Sequence, residues 1–135
     1  MTKILIVDDD VELVGYLADV MEQSGWEVGA AYDGVEGVLK VMDGGWDAVL
    51  MDIHMPNLNG LNALSIMLRH NRRLPVVLFT GQAGQGDMMN AYRRGAYACL
   101  LKPLEARKVI AALQEAMDRA ATHRSKPPAP MWVLA

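Results

Sequence analysis

Cysteine is almost absent. Cys99 is the only one in 135 residues, which excludes an intramolecular disulfide framework and fits a reducing compartment. Long apolar runs are missing too: the run that follows the first three residues, Ile4 to Val7, stops at Asp8. That is far short of a signal-peptide core or of the ~20 residues of a membrane span, so the expectation is a cytoplasmic protein with no membrane contact. A basic surplus is lacking as well, the net charge being -3, which argues against direct nucleic-acid binding. No GxxxxGKS or GxxxxGKT occurs, and the first apolar run turns through aspartates rather than glycines. Both common glycine-rich nucleotide loops are therefore excluded. No cluster of cysteine and histidine offers the ligand set that zinc takes.

Hydrophobic residues make up 52% of the chain against 21% charged, enough to build the core of about one domain. The charge is unevenly spread. Residues 1–60 hold Lys3 and Lys40 against twelve carboxylates, a net -10, while residues 61–135 hold eleven Lys or Arg against Asp87, Glu105, Glu115 and Asp118, a net +7. Part of the acidic excess is the knot Asp8-Asp9-Asp10, into which an apolar run leads directly.

Five apolar runs alternate with five segments of helical periodicity. Ile4 to Val7, Trp26 to Ala31, Ala48 to Met51, Pro75 to Phe79 and Tyr97 to Leu101 read as strands, several without polar alternation, as in parallel sheets covered on both faces. Between them lie helical stripes: Leu13, Val14, Leu17, Val20 and Met21, capped by Asp10; Val35, Val38, Leu39 and Met42, closed by Gly44-Gly45; Leu61, Leu64, Ile66 and Leu68; and Met88 to Tyr92. A last helix, about Glu105 to Ala121, places Val109, Ile110, Leu113, Ala116 and Met117 on one side. Strict strand–helix alternation predicts an α/β fold, a doubly wound parallel sheet of five strands with helices on both faces.

In such sheets chemistry gathers beyond the carboxyl ends of the strands. Strand one ends in Asp8 and Asp9, strand three in Asp52, strand four in Thr80 and strand five in Lys102. Carboxylates crowded together repel one another unless a cation joins them, and an all-oxygen set suits Mg²⁺, with Mn²⁺ as the alternative. Lysine adds a point charge suited to a phosphoryl oxygen. Carboxylates, a hard cation, a lysine and a hydroxyl form a phosphoryl-handling set.

In order and spacing these pieces resemble the receiver domains of bacterial two-component response regulators, close in pattern to the single-domain chemotaxis type. Ile4 to Asp10 is similar to that family's opening strand and acidic pair, Leu50 to Gly60 to its phosphoacceptor strand and loop, and Phe79-Thr80-Gly81 and Leu101-Lys102-Pro103 to the two remaining signatures. The likeness spans residues 3 to about 121. It implies the flavodoxin-like strand order 2-1-3-4-5, Asp52 as phosphoacceptor, and Mg²⁺ held by Asp9, Asp52 and the backbone carbonyl of His54, with Asp8 acting through water. It also implies Thr80 as switch hydroxyl, Lys102 as its cationic partner, a cis bond before Pro103 that aims the lysine, and Gly81 beside the path of the hydrolytic water. The donor would be a histidine kinase or histidine phosphotransfer protein, or a small acyl phosphate. The activity would be self-phosphorylation and autodephosphorylation rather than ordinary turnover.

The main departure from that pattern is Cys99, where many relatives carry an aromatic ring that swings inward on phosphorylation; a muted or rerouted switch is expected. Tyr97, two residues away, is expected on the same strand face. The resemblance also implies that His54 borders the water path; the residue reads first as an exposed loop histidine and second as a ring that tunes the lifetime of the acyl phosphate by sterics. Met88 and Met89 read first as packing and second as part of the family's usual docking face, formed by helix 4, strand 5 and helix 5. Residues 1–122 are expected to form the domain, and 123–135 a proline-rich tail or the start of a linker. Output then falls to a domain beyond residue 135 or to a docking partner. Two other readings stay open: a Mg²⁺-dependent phosphohydrolase on a similar scaffold, and a degenerate receiver that only binds partners.

Overall fold

The computed structural model describes residues 1–81 and 85–122, the side chain of Gln85 excepted. The expected tail 123–135, and Gly84 of the glycine-containing loop, lie outside the described residues. The element order is β1 (Lys3–Val7), α1 (Val11–Gln23), β2 (Glu27–Ala31), α2 (Gly34–Asp43), β3 (Ala48–Asp52), α3 (Gly60–His70), β4 (Val76–Thr80), α4 (Gln85–Arg93), β5 (Ala98–Leu101) and α5 (Ala106–Ala121). All strand pairs are parallel and the order is β2-β1-β3-β4-β5, as expected. Among the described residues no helix is long and apolar enough to cross a membrane.

The sheet separates two apolar layers. Leu5, Val7, Val49, Met51, Val76, Leu78 and Cys99 face α2, α3 and α4, while Ile4, Ile6, Leu50, Val77 and Phe79 face α1 and α5. Every residue of β3 and β4 is buried, which is why those two runs show no polar alternation. Burial of each of their Val, Leu, Met and Phe side chains contributes on the order of 1.5–3 kcal/mol, which anchors the two strands that end in Asp52 and Thr80.

Side-chain caps set the helix starts. Asp10 accepts from Leu13 N at 3.1 Å and Asp33 from Glu36 N at 2.8 Å, while Asn59 accepts from Asn62 N at 2.9 Å. The second carboxylate oxygen of Asp33 accepts from the Asn57 amide at 3.2 Å. Asn57 sits at φ 69°, a left-handed conformation that asparagine tolerates, so the loop between β3 and α3 is tied to the start of α2.

Two expectations need correction. The buried face of α2 is Gly34, Gly37, Val38 and Val41, whereas Val35, Leu39 and Met42 are exposed. A Cβ at Gly34 would collide with the Leu58 carbonyl, and one at Gly37 would press on Val7. The helix backbone thus lies directly on the loop and sheet, and glycine carries no weight in a hydrophobic periodicity. Tyr97 also fails to share a face with Cys99. It precedes β5 and packs with the α1/α5 layer, whereas Cys99 is buried in the α2–α4 layer; the two-residue alternation holds only within the strand.

Candidate functional site

Sheet register assembles the site. Val7 lies opposite Met51, so the next residues, Asp8 and Asp52, emerge side by side. Asp52 lies opposite Phe79, which puts Thr80 one step beyond it on β4. Thr80 lies opposite Leu101, which puts Lys102 one step beyond on the edge strand. Four sequence-distant groups therefore meet at the carboxyl edge because four strands are paired in one register.

Carboxylate oxygens of Asp8, Asp9 and Asp52 all lie within 4.8 Å of one another. Asp8 and Asp52 are buried and Asp9 is exposed. Lys102 Nζ stands 3.6 Å from Asp52 Oδ2, and the His54 backbone N–H donates to Asp52 Oδ1 at 3.2 Å, so the two oxygens of this carboxylate are engaged from different sides. The Asp10 backbone N–H donates to Asp8 Oδ1 at 3.2 Å, while Asp8 Oδ2 is buried with no hydrogen-bond partner among the described residues. Burial raises the Asp8 pKa from 3.8 to about 7, with the Asp52 charge adding to the shift and Lys102 and the Asp10 N–H opposing it.

An orphaned buried carboxylate oxygen is costly, and here it belongs to a set of hard oxygen donors from three acids. Those residues fit a divalent cation of the Mg²⁺ or Mn²⁺ kind.

Around this cluster, Thr80 is fully buried at the end of β4. Gly81 faces the stem of Lys102, where a Cβ would stand 3.5 Å from its Cδ. The Lys102 ammonium lies 5.2 Å from the centroid of the Phe79 ring, and the Lys102–Pro103 bond is cis, as expected. Cys99 is the one expected site residue that stands apart from the edge: it is fully buried in the core, and burial, then the Asp87 charge, push its thiol pKa up to about 12. The sequence reading missed Asp87. From the first turn of α4 its Oδ2 stands 3.4 Å from His54 Nε2. In sequence it is only an acid near a helix start, 33 positions from its partner.

A parallel sheet with a clustered acidic edge, a facing lysine and a hydroxyl defines a doubly wound α/β domain that handles phosphoryl groups. The chain belongs to the response regulator receiver domain family, whose model matches residues 4–114. It is 34% identical over 122 residues to the CpxR homologue of Haemophilus influenzae, a transcriptional regulatory protein, covering 90% of this chain and 53% of that protein. It is 33% identical over 117 residues to the chemotaxis protein CheY of Listeria monocytogenes, covering 86% of this chain and 98% of that one. The chain thus spans about half the length of the CpxR-type relatives it matches.

Among solved structures, the CheY-like receiver domain of Methanospirillum hungatei superposes with a TM-score of 0.87 at 26% identity, covering 91% of this chain and 98% of that one. The chemotaxis protein in the CheX–CheY–BeF3–Mg complex of Borrelia burgdorferi does so at 0.80 and 27%, covering 84% and 87%. The protein is accordingly a phosphoacceptor receiver domain of two-component signalling, with an acidic cluster suited to that role.

Proposed function

We propose that Asp52 is the residue that takes the phosphoryl group, from a histidine kinase or histidine phosphotransfer protein of the cytoplasm or from a small acyl phosphate. The observation that carries this reading is the pairing of a buried Asp52 with Lys102 on one oxygen and with Asp8 and Asp9 close by. Asp52 is the cluster member on the central strand of the sheet, with the acids that follow β1 on one side and Lys102, which follows β5, on the other.

Asp9, Asp52 and the His54 carbonyl would hold Mg²⁺ or Mn²⁺, with Asp8 acting through water. When bound, such a cation supplies positive charge to the phosphoryl oxygens and offsets the repulsion among the acids. The chain's own residues do the rest. The Asp52 carboxylate oxygen attacks phosphorus, the bond from phosphorus to the donor nitrogen or oxygen breaks, and the donor leaves with that electron pair. Lys102 supplies a second cation beside Asp52 and follows the charge onto the phosphoryl group. The Thr80 hydroxyl turns to the new acceptor oxygens, which orders the neighbouring loops, with Gly81 and Pro103 shaping the approach of Lys102. Output then passes to a domain beyond residue 135, or to a partner docking on the face of α4, β5 and α5.

Incubation with acetyl phosphate and Mg²⁺, followed by intact mass, tests the reading. Wild type should gain the mass of one phosphoryl group and Asp52→Asn none. Steady turnover of unrelated phosphomonoesters would favour a phosphohydrolase instead, and no uptake under any donor would favour a domain that only binds partners.

A further inference from the structure

His54 is placed by two contacts that reach in different directions. Its backbone N–H holds Asp52 Oδ1 at 3.2 Å, which fixes the residue beside the phosphoacceptor. Its ring Nε2 stands 3.4 Å from Asp87 Oδ2, across the gap between the β3–α3 loop and the first turn of α4, with side-chain exposures of 43% and 35%. A carboxylate beside one ring nitrogen selects the tautomer with the proton on that nitrogen and limits rotation of the ring. In the neutral imidazole this leaves His54 Nδ1 as the acceptor.

We propose that Asp87 is a positioning residue for His54, and that the pair sets how fast the phosphoryl group on Asp52 is hydrolysed. This rests on the phosphoacceptor reading above and goes beyond a steric role for the histidine. In the step, a water molecule attacks phosphorus on the side away from the Asp52 oxygen, and the phosphorus–oxygen bond to Asp52 breaks. The electron pair returns to the carboxylate, and inorganic phosphate leaves carrying the water's oxygen and both of its protons, as the monoanion. His54 Nδ1 accepts a hydrogen bond from that water and orients it, as water-positioning side chains do in other phosphoryl transfers. Asp87 keeps the ring in the one rotamer and tautomer that present Nδ1. The same contact links the phosphorylation loop to α4, whereas Cys99 beneath that helix is inert and small.

The two residues are partly exposed, so the pair weights the productive ring position only modestly, by about two- to fivefold. The test uses protein phosphorylated with acetyl phosphate and Mg²⁺, freed of donor, and followed by intact mass as the phosphoryl group is lost. Asp87→Ala should slow hydrolysis about two- to fivefold. His54→Ala should slow it at least as much, and the double variant no more than His54→Ala alone. Asp87→Glu, which keeps the carboxylate and the favourable charge at the start of α4, should stay near the wild-type rate.

An Asp87→Ala variant that loses phosphate at the wild-type rate or faster would overturn the proposal. So would one whose full effect persists in the His54→Ala background, because Asp87 would then act on α4 alone. Uptake of label reports separately on the phosphoacceptor reading. If wild type takes up no phosphoryl group, that reading falls and this one with it; if all variants load equally and decay alike, only the present proposal falls.

Discussion

Tyr97 and Cys99 stand two residues apart and face opposite layers of the domain. The Cys99 thiol is sealed into the core under α2–α4, and the Tyr97 ring lies against α5 in a groove of about 430 Å³ shared with Leu100, Leu104 and Val109. Tyr97 therefore cannot stand in for an aromatic switch at position 99. Its phenol pKa is pushed up to about 12, by burial first and then by Glu115 of α5, so it stays neutral at any physiological pH.

The burial of Cys99 predicts its chemistry. With a thiol pKa of about 12 and no exposure, the nucleophilic thiolate is scarcely populated near neutrality. A disulfide reagent at pH 8 should leave the folded protein unlabelled and react with one thiol per chain in urea. Fast labelling without denaturant would mean that β5 opens locally.

The same site bears on switching. Cys99→Tyr adds a ring to a filled core and should cost about 1–3 kcal/mol in urea unfolding. Beryllofluoride should then move the α4 and β5 amide resonances further in Cys99→Tyr than in wild type, since a ring reports rearrangement beneath α4 and a thiol does not. Equal movement in the two proteins would show that position 99 is silent in the switch.

Gly34 and Gly15 form a matched pair of opposite sign. A Cβ at Gly34 would strike the Leu58 carbonyl in the loop that follows Asp52, while a Cβ at Gly15 on α1 meets nothing within 4 Å. Gly15→Ala should stabilise by roughly 0.5–1 kcal/mol through helix propensity and a less flexible unfolded chain. Gly34→Ala should destabilise by about 1–3 kcal/mol as α2 is pushed off the loop, and phosphoryl uptake should fall with it. Urea midpoints of the two variants, compared with wild type, decide the signs.

How much of this was legible in the sequence follows from what each residue reports on its own. Buried strands announce themselves as unbroken apolar runs, and strand ends carrying Asp8, Asp52, Thr80 and Lys102 lead to the sheet edge once the alternation is seen. The site set was legible because parallel register turns sequence order into spatial order. The inward face of α2 was not, because Gly34 and Gly37 create close contact by lacking a side chain. The side of Tyr97 was missed because the chain bends before β5 begins. The His54–Asp87 approach was invisible because it joins a loop to a helix start, and nothing in either segment's periodicity encodes their distance.

Asp8 gives the domain a pH dependence whose sign depends on the cation. Folding raises its pKa from 3.8 to about 7, so between those values the folded chain holds a proton that the unfolded chain has released. Without metal, the Asp8 contribution therefore favours the folded state least at high pH: stability from this group is present near pH 4, falls as pH rises, and levels off above about 7. A divalent cation prefers the ionised carboxylate, so its binding in that window must expel the proton. Mg²⁺ should thus stabilise the protein more at pH 8 than at pH 5, and calorimetric titration at pH 6 should show a buffer-dependent heat reporting proton release. Asp8→Asn removes the titrating group. Its metal-free unfolding midpoint should fall less than that of wild type between pH 5 and pH 7.5, and its Mg²⁺ titration should release fewer protons. Identical pH profiles in the two proteins would mean that Asp8 is already ionised in the metal-free fold.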